Sequence, residues 1–359
     1  MKLNDITRRA ASWLSDSGPK HDVVISSRVR LARNLLGMPF PGRCTEDQRR
    51  NICHTVTEAI KKSGICDDQI TLNMADYSRL DRELLVERHL ISRQYAQDEH
   101  TRSVIVSGDE KLSLMINEED HLRIQLLYSG LRLKQAFEEI NNIDDSLARH
   151  LDYAFTPEYG YLTACPTNVG TGLRVSVMLH LPGLKLSGEI ERAMRASRDM
   201  KLAIRGIYGE GTEALGDFYQ ISNQLTLGKT EEQIVNDFTN MFIPAILDYE
   251  RKARQQLIEK NRLEIEDRMF RALAVTKSSK LMSSDETLDR LSMIRLGINL
   301  NCINDINLDT VNELYLLSRP AHIQKLHNAE LAPRERDEVR SNMLRDRLAE
   351  NRKTGKKNP

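Results

Sequence analysis

Tyr161-Leu-Thr-Ala-Cys165-Pro-Thr-Asn168-Val-Gly170-Thr-Gly172-Leu-Arg174 places a single cysteine just before a polar, glycine-rich turn. The residues that follow, 175–181, alternate in hydrophobicity, which predicts a strand. Cys165 and Arg174 are therefore expected to flank a turn at the mouth of a sheet. Gly170 and Gly172 permit positive φ and a close ligand approach, which suits an anion when Arg174 supplies charge. A plain hairpin turn with one buried cysteine fits the local pattern about as well.

The composition describes an ordinary soluble protein and excludes several classes. The chain has 359 residues, enough for two domains, and its 52 basic and 52 acidic residues cancel. The net charge of zero therefore gives no electrostatic reason to expect nucleic acid or a membrane as a partner. The sequence has neither the apolar run of a spanning helix nor a signal-peptide core. Five cysteines without a CxxC pair indicate a reducing cytoplasm rather than a disulfide framework or a zinc site.

Arginines recur in segments that predict strands. Arg28 and Arg30 follow the apolar run 23–25 and share one face if the segment is extended. Two guanidinium groups on one face can bind a polyphosphate, although a solvated basic edge strand is the simpler interpretation. Residues 202–206 predict another strand, with Arg205 near its end and Glu210 in the glycine-rich loop beyond it.

A second candidate site follows a predicted hairpin of 103–107 and 111–116. If the second strand continues to residue 126, Glu119, His121 and Arg123 alternate onto one face. Three successive carboxylates are unfavourable in a strand, and such local inconsistency often marks a functional site. One carboxylate would then serve as a base while the arginine binds phosphate. The alternative is a charged loop between two strands.

The sequence divides into two regions and a tail. Residues 1–255 contain the predicted strands and the surrounding helices. In residues 256–350 glycines become rare, and breaks near 278–284, 299–307 and 332–333 separate predicted amphipathic helices. We expect this second region to be a helical module that pairs with a second copy of the chain. The polar end, 351–359, is expected to be disordered.

The common nucleotide-binding and metalloprotease motifs are absent from the sequence. Gly228-Lys-Thr230 has Asn223 where a P-loop requires its first glycine, and Gly170-Thr-Gly172 lacks the third glycine of a dinucleotide fingerprint. No HRD, DFG or HExxH pattern occurs. Many arginines with few carboxylates instead favour a triphosphate held by side chains.

Four segments together resemble the phosphagen (guanidino) kinase family. They are Ser26-Ser-Arg-Val-Arg30, Asn117-Glu-Glu-Asp-His-Leu-Arg123, Cys165 through Arg174, and Arg205-Gly-Ile-Tyr-Gly-Glu210. Their order makes the resemblance specific, and it covers roughly residues 21–250. It implies an α+β fold, an antiparallel sheet flanked by helices, followed here by the all-α module. It also implies phosphorylation of a guanidinium nitrogen with ATP and Mg²⁺.

The resemblance also implies roles for individual residues. Glu119 would be the base, Glu210 a second carboxylate on the guanidinium, and Cys165 a thiolate beside it; no residue is assigned as a direct protein ligand of a metal. Nucleotide contacts would come from Ser26, Ser27, Arg28, Val29, Arg30, His89, Arg123, Arg174, Val175, Ser176, Val177, Met178, Arg205, Gly206, Ile207, Tyr208, Gly209 and Glu210. Two carboxylates can orient a guanidinium and take its proton, and nearby arginines would favour the thiolate.

The branch of the family that phosphorylates arginine on proteins is the closest match. Small-molecule members carry a helical domain before the motif that begins here at Ser26, so we expect an open site. The resemblance to this branch extends over nearly the whole chain. It implies protein substrates with exposed arginine, an activator protein, a heat-shock repressor, a Clp-type AAA+ unfoldase, stress-linked degradation and a homodimer. A metabolic kinase of a free guanidino compound and a non-catalytic phosphoarginine reader are the alternatives.

A further motif of this branch binds phosphoarginine and implies allosteric regulation. Residues Arg336, Asp337, Arg340 and Ser341 match its Arg-Asp-x-x-Arg-Ala pattern, with serine in place of alanine. Two arginines suit a phosphorylated guanidinium, and the aspartate suits its remaining N–H groups. Without the resemblance, the same residues would be interpreted as a solvated helix face.

Overall fold

The structure is a computed structural model that describes residues 3–7, 10–15, 18–65, 68–97, 100–206 and 215–354. Its centre is an eight-stranded antiparallel sheet with the strand order β2-β3-β4-β5-β1-β8-β10-β9. The strands are β1 (Val24–Arg33), β2 (Gln69–Asn73), β3 (Ser103–Ser107), β4 (Leu112–Ile116), β5 (Leu122–Ser129), β6 (Phe155–Thr156), β7 (Gly160–Tyr161), β8 (Leu173–His180), β9 (Leu202–Gly206) and β10 (Phe218–Asn223), of which β6 and β7 form a separate pair. The predicted antiparallel sheet is confirmed.

Helices flank the sheet and make up nearly all of the regular structure after residue 230. They are α1 (Leu3–Thr7), α2 (Glu46–Ser63), α3 (Arg79–Glu87), α4 (Arg93–Gln97), α5 (Leu133–Ala148), α6 (Pro182–Leu186), α7 (Ile190–Asp199), α8 (Glu231–Asp237), α9 (Ile243–Ser278), α10 (Ser284–Asn299), α11 (Leu308–Leu317), α12 (Pro320–His327) and α13 (Pro333–Thr354). Thr45, Ser78 and Thr230 close capping boxes at the starts of α2, α3 and α8, which satisfy backbone N–H groups that lack helical partners. No helix among the described residues is long and apolar enough to cross a membrane.

One face of the sheet is apolar because alternate strand residues carry branched aliphatic side chains. Val29 and Leu31 of β1 lie on this face with Ile124 of β5 and Val177 of β8, and all four are almost fully buried. Helices α2, α5 and α8 cover them. Full burial of one such side chain stabilises the fold by about 1.5–3 kcal/mol, so this layer fixes the register of the central strands.

The opposite face changes character along the strands. Towards one end it carries arginine, glutamine and serine. Towards the other end it carries Leu127, Met178 and Phe218, which are buried together with apolar residues of α9, α10, α11 and α13. The C-terminal helices therefore pack on the same face of the sheet that carries the arginines, and the two features share strands β5, β8 and β10.

A buried polar contact joins the C-terminal helices to α3. Both carboxylate oxygens of Glu87 accept N–H groups at the start of α12, from Ala321 at 2.8 Å and His322 at 3.0 Å. His322 Nδ1 lies 2.7 Å from the same carboxylate. Next to it, Arg88 forms a two-pronged ion pair with Glu110 at 2.6 and 2.7 Å, and both side chains are buried. The carboxylate of Glu87 thus caps a helix that lies more than two hundred residues away in sequence.

Several expectations are corrected in detail. The strand predicted to run from residue 111 through 126 is interrupted by a turn over 117–121, where Asn117 adopts φ 61°, so the loop alternative was right. Glu119, His121 and Arg123 consequently do not share a strand face, and β5 begins only at Leu122. The sequence from residue 81 to residue 92 predicts a helix, and in the structure this helix ends at Glu87.

The C-terminal breaks at 278–284 and 299–307 coincide with the ends of α9 and α10, and the break at 332–333 coincides with the start of α13. Helix α9 runs through the boundary proposed at residue 255 and bends at Asn261, whose φ and ψ are −138° and 40°. Helix α13 continues to Thr354, four residues into the stretch 351–359 that we expected to be disordered, and 355–359 lie outside the described residues.

Candidate active site

Strand pairing gathers the predicted arginines on the polar face of the sheet. Arg28 of β1 lies opposite Ser176 of β8. Arg30, the next residue of β1 on the same face, lies between Arg174 of β8 and Gln125 of β5. Residues two apart along one strand face the same side of the sheet, and so do residues that lie directly opposite on neighbouring strands. The register alone therefore brings these side chains together. Residues that are up to 150 positions apart in sequence thereby become neighbours.

A cavity of about 380 Å³ opens on this face. Six of the predicted residues contribute to its wall, and Arg93 and five polar side chains that sequence analysis did not single out also line it. The predicted ones are Arg28, Arg30, His89, Glu119, Arg123 and Arg205; the five polar ones are Ser92, Gln94, Glu118, Gln125 and Gln220. Arg174 and Cys165 are not part of the wall as described, and Ile207, Tyr208, Gly209 and Glu210 lie outside the described residues.

The cavity concentrates positive charge. Burial, with the charges of Arg123, Arg174 and Arg205, lowers the pKa of Arg28 to about 9, and burial together with Arg28 holds the pKa of Arg30 well below its usual value. Arg123 has a direct counter-ion, because its Nη1 lies 2.5 Å from Oε2 of Glu118. The array therefore carries an excess of cationic groups whose mutual repulsion a polyanion would relieve.

His89 is fixed at the edge of the cavity in an uncommon conformation. Its φ is 59°, a value that non-glycine residues rarely adopt. Nε2 of Gln125 donates to the His89 carbonyl at 2.7 Å, and the ring of Trp13 packs edge-on with a centroid distance of 4.9 Å. Burial and the nearby arginines lower the pKa of His89 to about 3, so its ring is neutral at physiological pH. A neutral, immobilised ring suits stacking or hydrogen bonding rather than proton transfer.

Glu119 is presented by the turn between β4 and β5. Asn117 fixes this turn by donating to the carbonyls of Arg49 at 2.9 Å and Thr101 at 3.1 Å. Glu119 itself is exposed and lies beside two other carboxylates. Partial desolvation of its carboxyl group first, and then the charges of Asp120 and Glu118, raise its pKa above the usual range. A carboxylate with a raised pKa is a stronger base, and this one faces the arginine array.

The turn is joined to the loop that carries Cys165. Asp120 Oδ1 accepts from the backbone N–H of Ala164 at 2.7 Å and from Nδ2 of Asn34 at 2.6 Å. Asn34 in turn accepts the backbone N–H of His121 at 2.9 Å and donates to the carbonyl of Leu162 at 3.0 Å. We name these two side chains the Asn34–Asp120 bridge. It holds Glu119 and Cys165 at a fixed separation although they belong to different segments.

The cysteine loop has a defined conformation of its own. Cys165 is partly exposed, with Sγ 3.0 Å from Oγ1 of Thr167, and Thr163 donates to the Cys165 carbonyl at 2.7 Å. Gly170 has φ 110°, and a Cβ there would lie 2.8 Å from the carbonyl oxygen of Thr226. The positive φ predicted for this glycine is confirmed, and the close neighbour that also requires a glycine here is the backbone of Thr226.

The remaining predicted nucleotide contacts fall into two groups. Ser176 lies on the polar face, where it accepts from Arg28 Nε at 3.3 Å. Val29, Val175 and Val177 are fully buried in the core of the other face, so their side chains are not available to a ligand. The others with side chains away from the cavity wall are Ser26, Ser27 and Met178, of which Ser27 donates to the Gly130 carbonyl at 2.7 Å. Gly206 ends β9.

The predicted phosphoarginine motif lies on α13, where its buried members fasten the helix. Arg340 donates to the carbonyls of Ser318 at 2.7 Å and Met282 at 2.8 Å and pairs with Asp337 at 2.6 Å. Ser341 donates to the Ser279 carbonyl at 2.6 Å, and Arg336 donates to the Leu331 carbonyl at 2.8 Å. The motif thus joins α13 to the segment between α9 and α10 and to the turn between α11 and α12.

Sequence reasoning missed Gln125 and Gln220, although a signal was present. Gln125 follows Arg123 at the alternation of β5, so it shares the face of a predicted site residue. Gln220 occupies the corresponding face of β10 and accepts from Arg28 Nη2 at 2.6 Å. Asn34 and Asp120 gave no such signal, because their partners become neighbours only in the folded chain.

Two family models match the chain in consecutive segments. Residues 51–253 match the model described as ATP:guanido phosphotransferase, C-terminal catalytic domain, and residues 262–358 match the protein-arginine kinase McsB C-terminal domain. Curated relatives match over nearly the full length. A protein-arginine kinase of Halothermothrix orenii is 43% identical over 97% of this chain and 99% of its own length.

The chain belongs to the protein-arginine kinase family. A second member, from Pelotomaculum thermopropionicum, is also 43% identical, over 97% of this chain and 99% of its own length. A third, from Shouchella clausii, is 41% identical over 97% of this chain and 98% of its own length. The resemblance inferred from the four motifs is confirmed.

Solved structures of phosphagen kinases share the fold. Lombricine kinase is 27% identical, with a TM-score of 0.58 over 69% of this chain and 70% of the other. The duplicated taurocyamine kinase from Schistosoma mansoni, solved with bound transition-state-analogue components, is 26% identical, with a TM-score of 0.59 over 67% of this chain and 34% of that one. The fold class predicted from sequence agrees with both.

Proposed function

We propose that this chain is an ATP-dependent protein-arginine kinase that transfers the γ-phosphoryl group of Mg-ATP to an arginine side chain of a protein. One observation carries the proposal. Arg28, Arg30, Arg123 and Arg205 converge with Glu119 on one cavity, so a cationic cradle for phosphates lies beside a carboxylate base. Family membership supports the same reaction and the protein nature of the acceptor.

The arginine array would bind the phosphates. Guanidinium groups match phosphate oxygens in pairs, and the depressed pKa of Arg28 indicates that the array favours added negative charge. Mg²⁺ binds phosphate oxygens and retains several waters, so it would enter with the nucleotide, and no residue is proposed as its direct ligand because Glu118 is already paired with Arg123. When bound, the metal ion would neutralise charge that develops on the phosphates.

The acceptor chemistry depends on Glu119. A guanidinium is protonated at physiological pH and is a poor nucleophile, so one nitrogen must lose a proton as it attacks. That nitrogen forms the N–P bond, the bond between the γ-phosphorus and the bridging oxygen breaks, and ADP leaves. The proton passes to the Glu119 carboxylate, whose raised pKa favours this transfer. We further propose that Cys165 and Glu210 contact the guanidinium from the other side.

The test uses the purified chain, Mg-ATP and an unstructured protein substrate, with free arginine assayed in parallel. Acid-labile phosphate on arginine is measured by mass spectrometry under mild conditions. Transfer to protein and not to free arginine supports the proposal, and Glu119→Gln should abolish it. Glu83→Gln, a carboxylate on the exposed face of α3, is the matched control and should retain activity. Transfer to free arginine alone would instead identify a metabolic guanidino kinase.

Regulation and partners form a second part of the proposal. We propose that the chain forms a homodimer through residues 256–350, binds phosphoarginine at Arg336, Asp337, Arg340 and Ser341, and acts in the cytoplasm with an activator, a heat-shock repressor and a Clp-type unfoldase. Light scattering tests the dimer, and calorimetry with phosphoarginine tests the motif. Because Arg340 already binds two carbonyls and Asp337, phosphoarginine would have to displace these contacts, and Arg336→Ala should weaken its binding without unfolding α13.

A further inference from the structure

A second large cavity lies on the reverse side of the cysteine loop. It has a volume of about 690 Å³, and Gly170 and Thr171 of the loop form part of its wall. Tyr161 and Gly170 exchange backbone hydrogen bonds of 2.8 and 3.3 Å across it, and Thr226 donates to the Thr167 and Val169 carbonyls at 2.9 and 2.7 Å. The cavity and the loop that bears Cys165 are therefore one packed unit, and no role in binding the nucleotide accounts for it.

The rim of this cavity exposes apolar surface. Phe155 is 53% exposed, Tyr159 49% and Leu227 57%, and all three contribute to the wall. Large apolar side chains left in water at a concave site are typical of surfaces that bind another chain. The rim residues come from two separate segments, the β6–β7 pair and the loop after β10, so the apolar surface is a property of the folded site.

Charge within the cavity is predominantly negative. Four carboxylates line it, Asp144, Asp145, Glu158 and Glu231, and they face two cationic side chains, Arg33 and Lys229. Arg33 offsets part of this charge, because it lies 2.6 Å from Asp144 and 3.8 Å from Glu231 and stacks 3.5 Å from the ring centroid of Tyr161. Lys229 pairs at 2.6 Å with a carboxylate outside the cavity, so four carboxylates share one cation and Asp145 and Glu158 supply the excess.

The electrostatic state of Glu231 supports this description. Burial, together with the charges of Asp144, Glu232 and Asp145, raises its pKa although Arg33 acts in the opposite direction. A cation that enters the cavity would relieve this repulsion. The site thus offers carboxylates that can pair with a guanidinium or ammonium group. It also offers exposed aromatic and aliphatic side chains that can contact an apolar residue of the same peptide.

We propose that this acidic–aromatic cavity binds the part of a protein substrate that flanks the target arginine, with a preference for basic and apolar residues. The inference rests on the proposed function, because it assigns the docking surface of that reaction. A protein acceptor brings flanking residues that a free amino acid lacks, and this surface is continuous with the loop next to the acceptor. Docking here would raise the local concentration of the arginine at the reaction centre.

The test compares two synthetic peptides with the same central arginine, one flanked by lysine and leucine and the other by glutamate and serine. The full-length chain is assayed for kcat/KM with each. Asp145→Lys combined with Glu158→Lys should lower the ratio of the two kcat/KM values about fivefold to tenfold, mainly through KM, because each exposed ion pair contributes little alone. Glu259→Lys combined with Glu264→Lys, two exposed positions on α9, makes a matched charge change outside the cavity and should leave the ratio unaltered.

Equilibrium binding separates failure of the docking site from failure of the proposed reaction. The lysine-flanked peptide, fluorescently labelled, is titrated without ATP against wild-type chain, the double variant and Tyr159→Ser. Weaker binding to both variants, with an affinity that falls as salt rises, supports the site whether or not the peptide is phosphorylated. Equal binding to all three proteins would overturn the inference, as would an unchanged kcat/KM ratio in the double variant.

Discussion

Replacing Asp120 with alanine would remove the oxygen that joins the Glu119 turn to the cysteine loop. In the structure this oxygen accepts N–H groups from Asn34 at 2.6 Å and Ala164 at 2.7 Å, and the Asp120 side chain is almost fully buried. Each donor left without an acceptor costs about 1–3 kcal/mol when it is buried. Because the Ala164 amide is partly accessible to water, we expect a total loss of about 2–4 kcal/mol in unfolding free energy.

The catalytic consequence should exceed the effect on stability. Without the bridge, Glu119 and Cys165 lose their fixed separation, and a displacement of about 1 Å can lower a rate about 100-fold. We expect Asp120→Ala to lower kcat about tenfold to 100-fold while KM for ATP changes little, because the arginine array does not depend on this contact. Hydrogen exchange of the Ala164 amide should accelerate in the same variant.

Asp120→Asn is the matched control because it retains an acceptor oxygen but removes the charge. It should preserve most of the stability. The Asp120 charge helps to raise the pKa of Glu119, so the neutral amide should lower that pKa and move the acidic limb of the kcat profile to lower pH. Wild-type kcat and wild-type exchange at Ala164 in Asp120→Ala would refute this reasoning.

Three other outcomes are expected. Glu110→Gln, which breaks the buried ion pair behind α3, should lower the unfolding free energy measured in urea by about 3–5 kcal/mol, whereas Glu83→Gln in an exposed pair should leave it unchanged within error. Gly170→Ala should lower kcat, because the alanine would have to adopt a positive φ and its Cβ would clash with the Thr226 backbone. Gly42→Ala should be neutral in the same assay, because a Cβ at that position has no atom within 4 Å. Activity should fall as pH decreases through the raised pKa of Glu119, since the base must be deprotonated; a pH profile with no acidic limb, or one that Glu119→Asp leaves in place, would contradict that assignment.

The parts of the fold that could be predicted are those that depend on neighbouring residues in sequence. The alternation of β8 and the Thr45-Glu-Asp-Gln48 pattern of a capping box are local signals, and the structure contains both the strand and the cap. The resemblance to the phosphagen kinases then supplied the sheet and the order of the motifs. Four of the cavity arginines followed from the same motifs, because their positions are determined by strand register.

The parts that could not be predicted depend on distant contacts. The turn at 117–121 exists because Asn117 binds carbonyls of Arg49 and Thr101, which no local pattern reveals. Helix α3 ends at Glu87, and the carboxylate of this residue accepts N–H groups at the start of α12, a contact that only the folded chain reveals. The Asn34–Asp120 bridge is equally remote in sequence, so a strand through 117–126 was a reasonable expectation from alternation and still a wrong one.

The sharing of one sheet face by the arginines and the C-terminal helices has a practical consequence for dissecting the enzyme. Leu127, Met178 and Phe218 would face solvent in a chain truncated before α9, and each lies two residues along its strand from Gln125, Ser176 or Gln220. Loss of activity after such a truncation could therefore result from exposing an apolar surface on the catalytic strands as well as from removing a regulatory region. Point changes on the outer face of the helical region, rather than deletions, are the informative way to separate the two contributions.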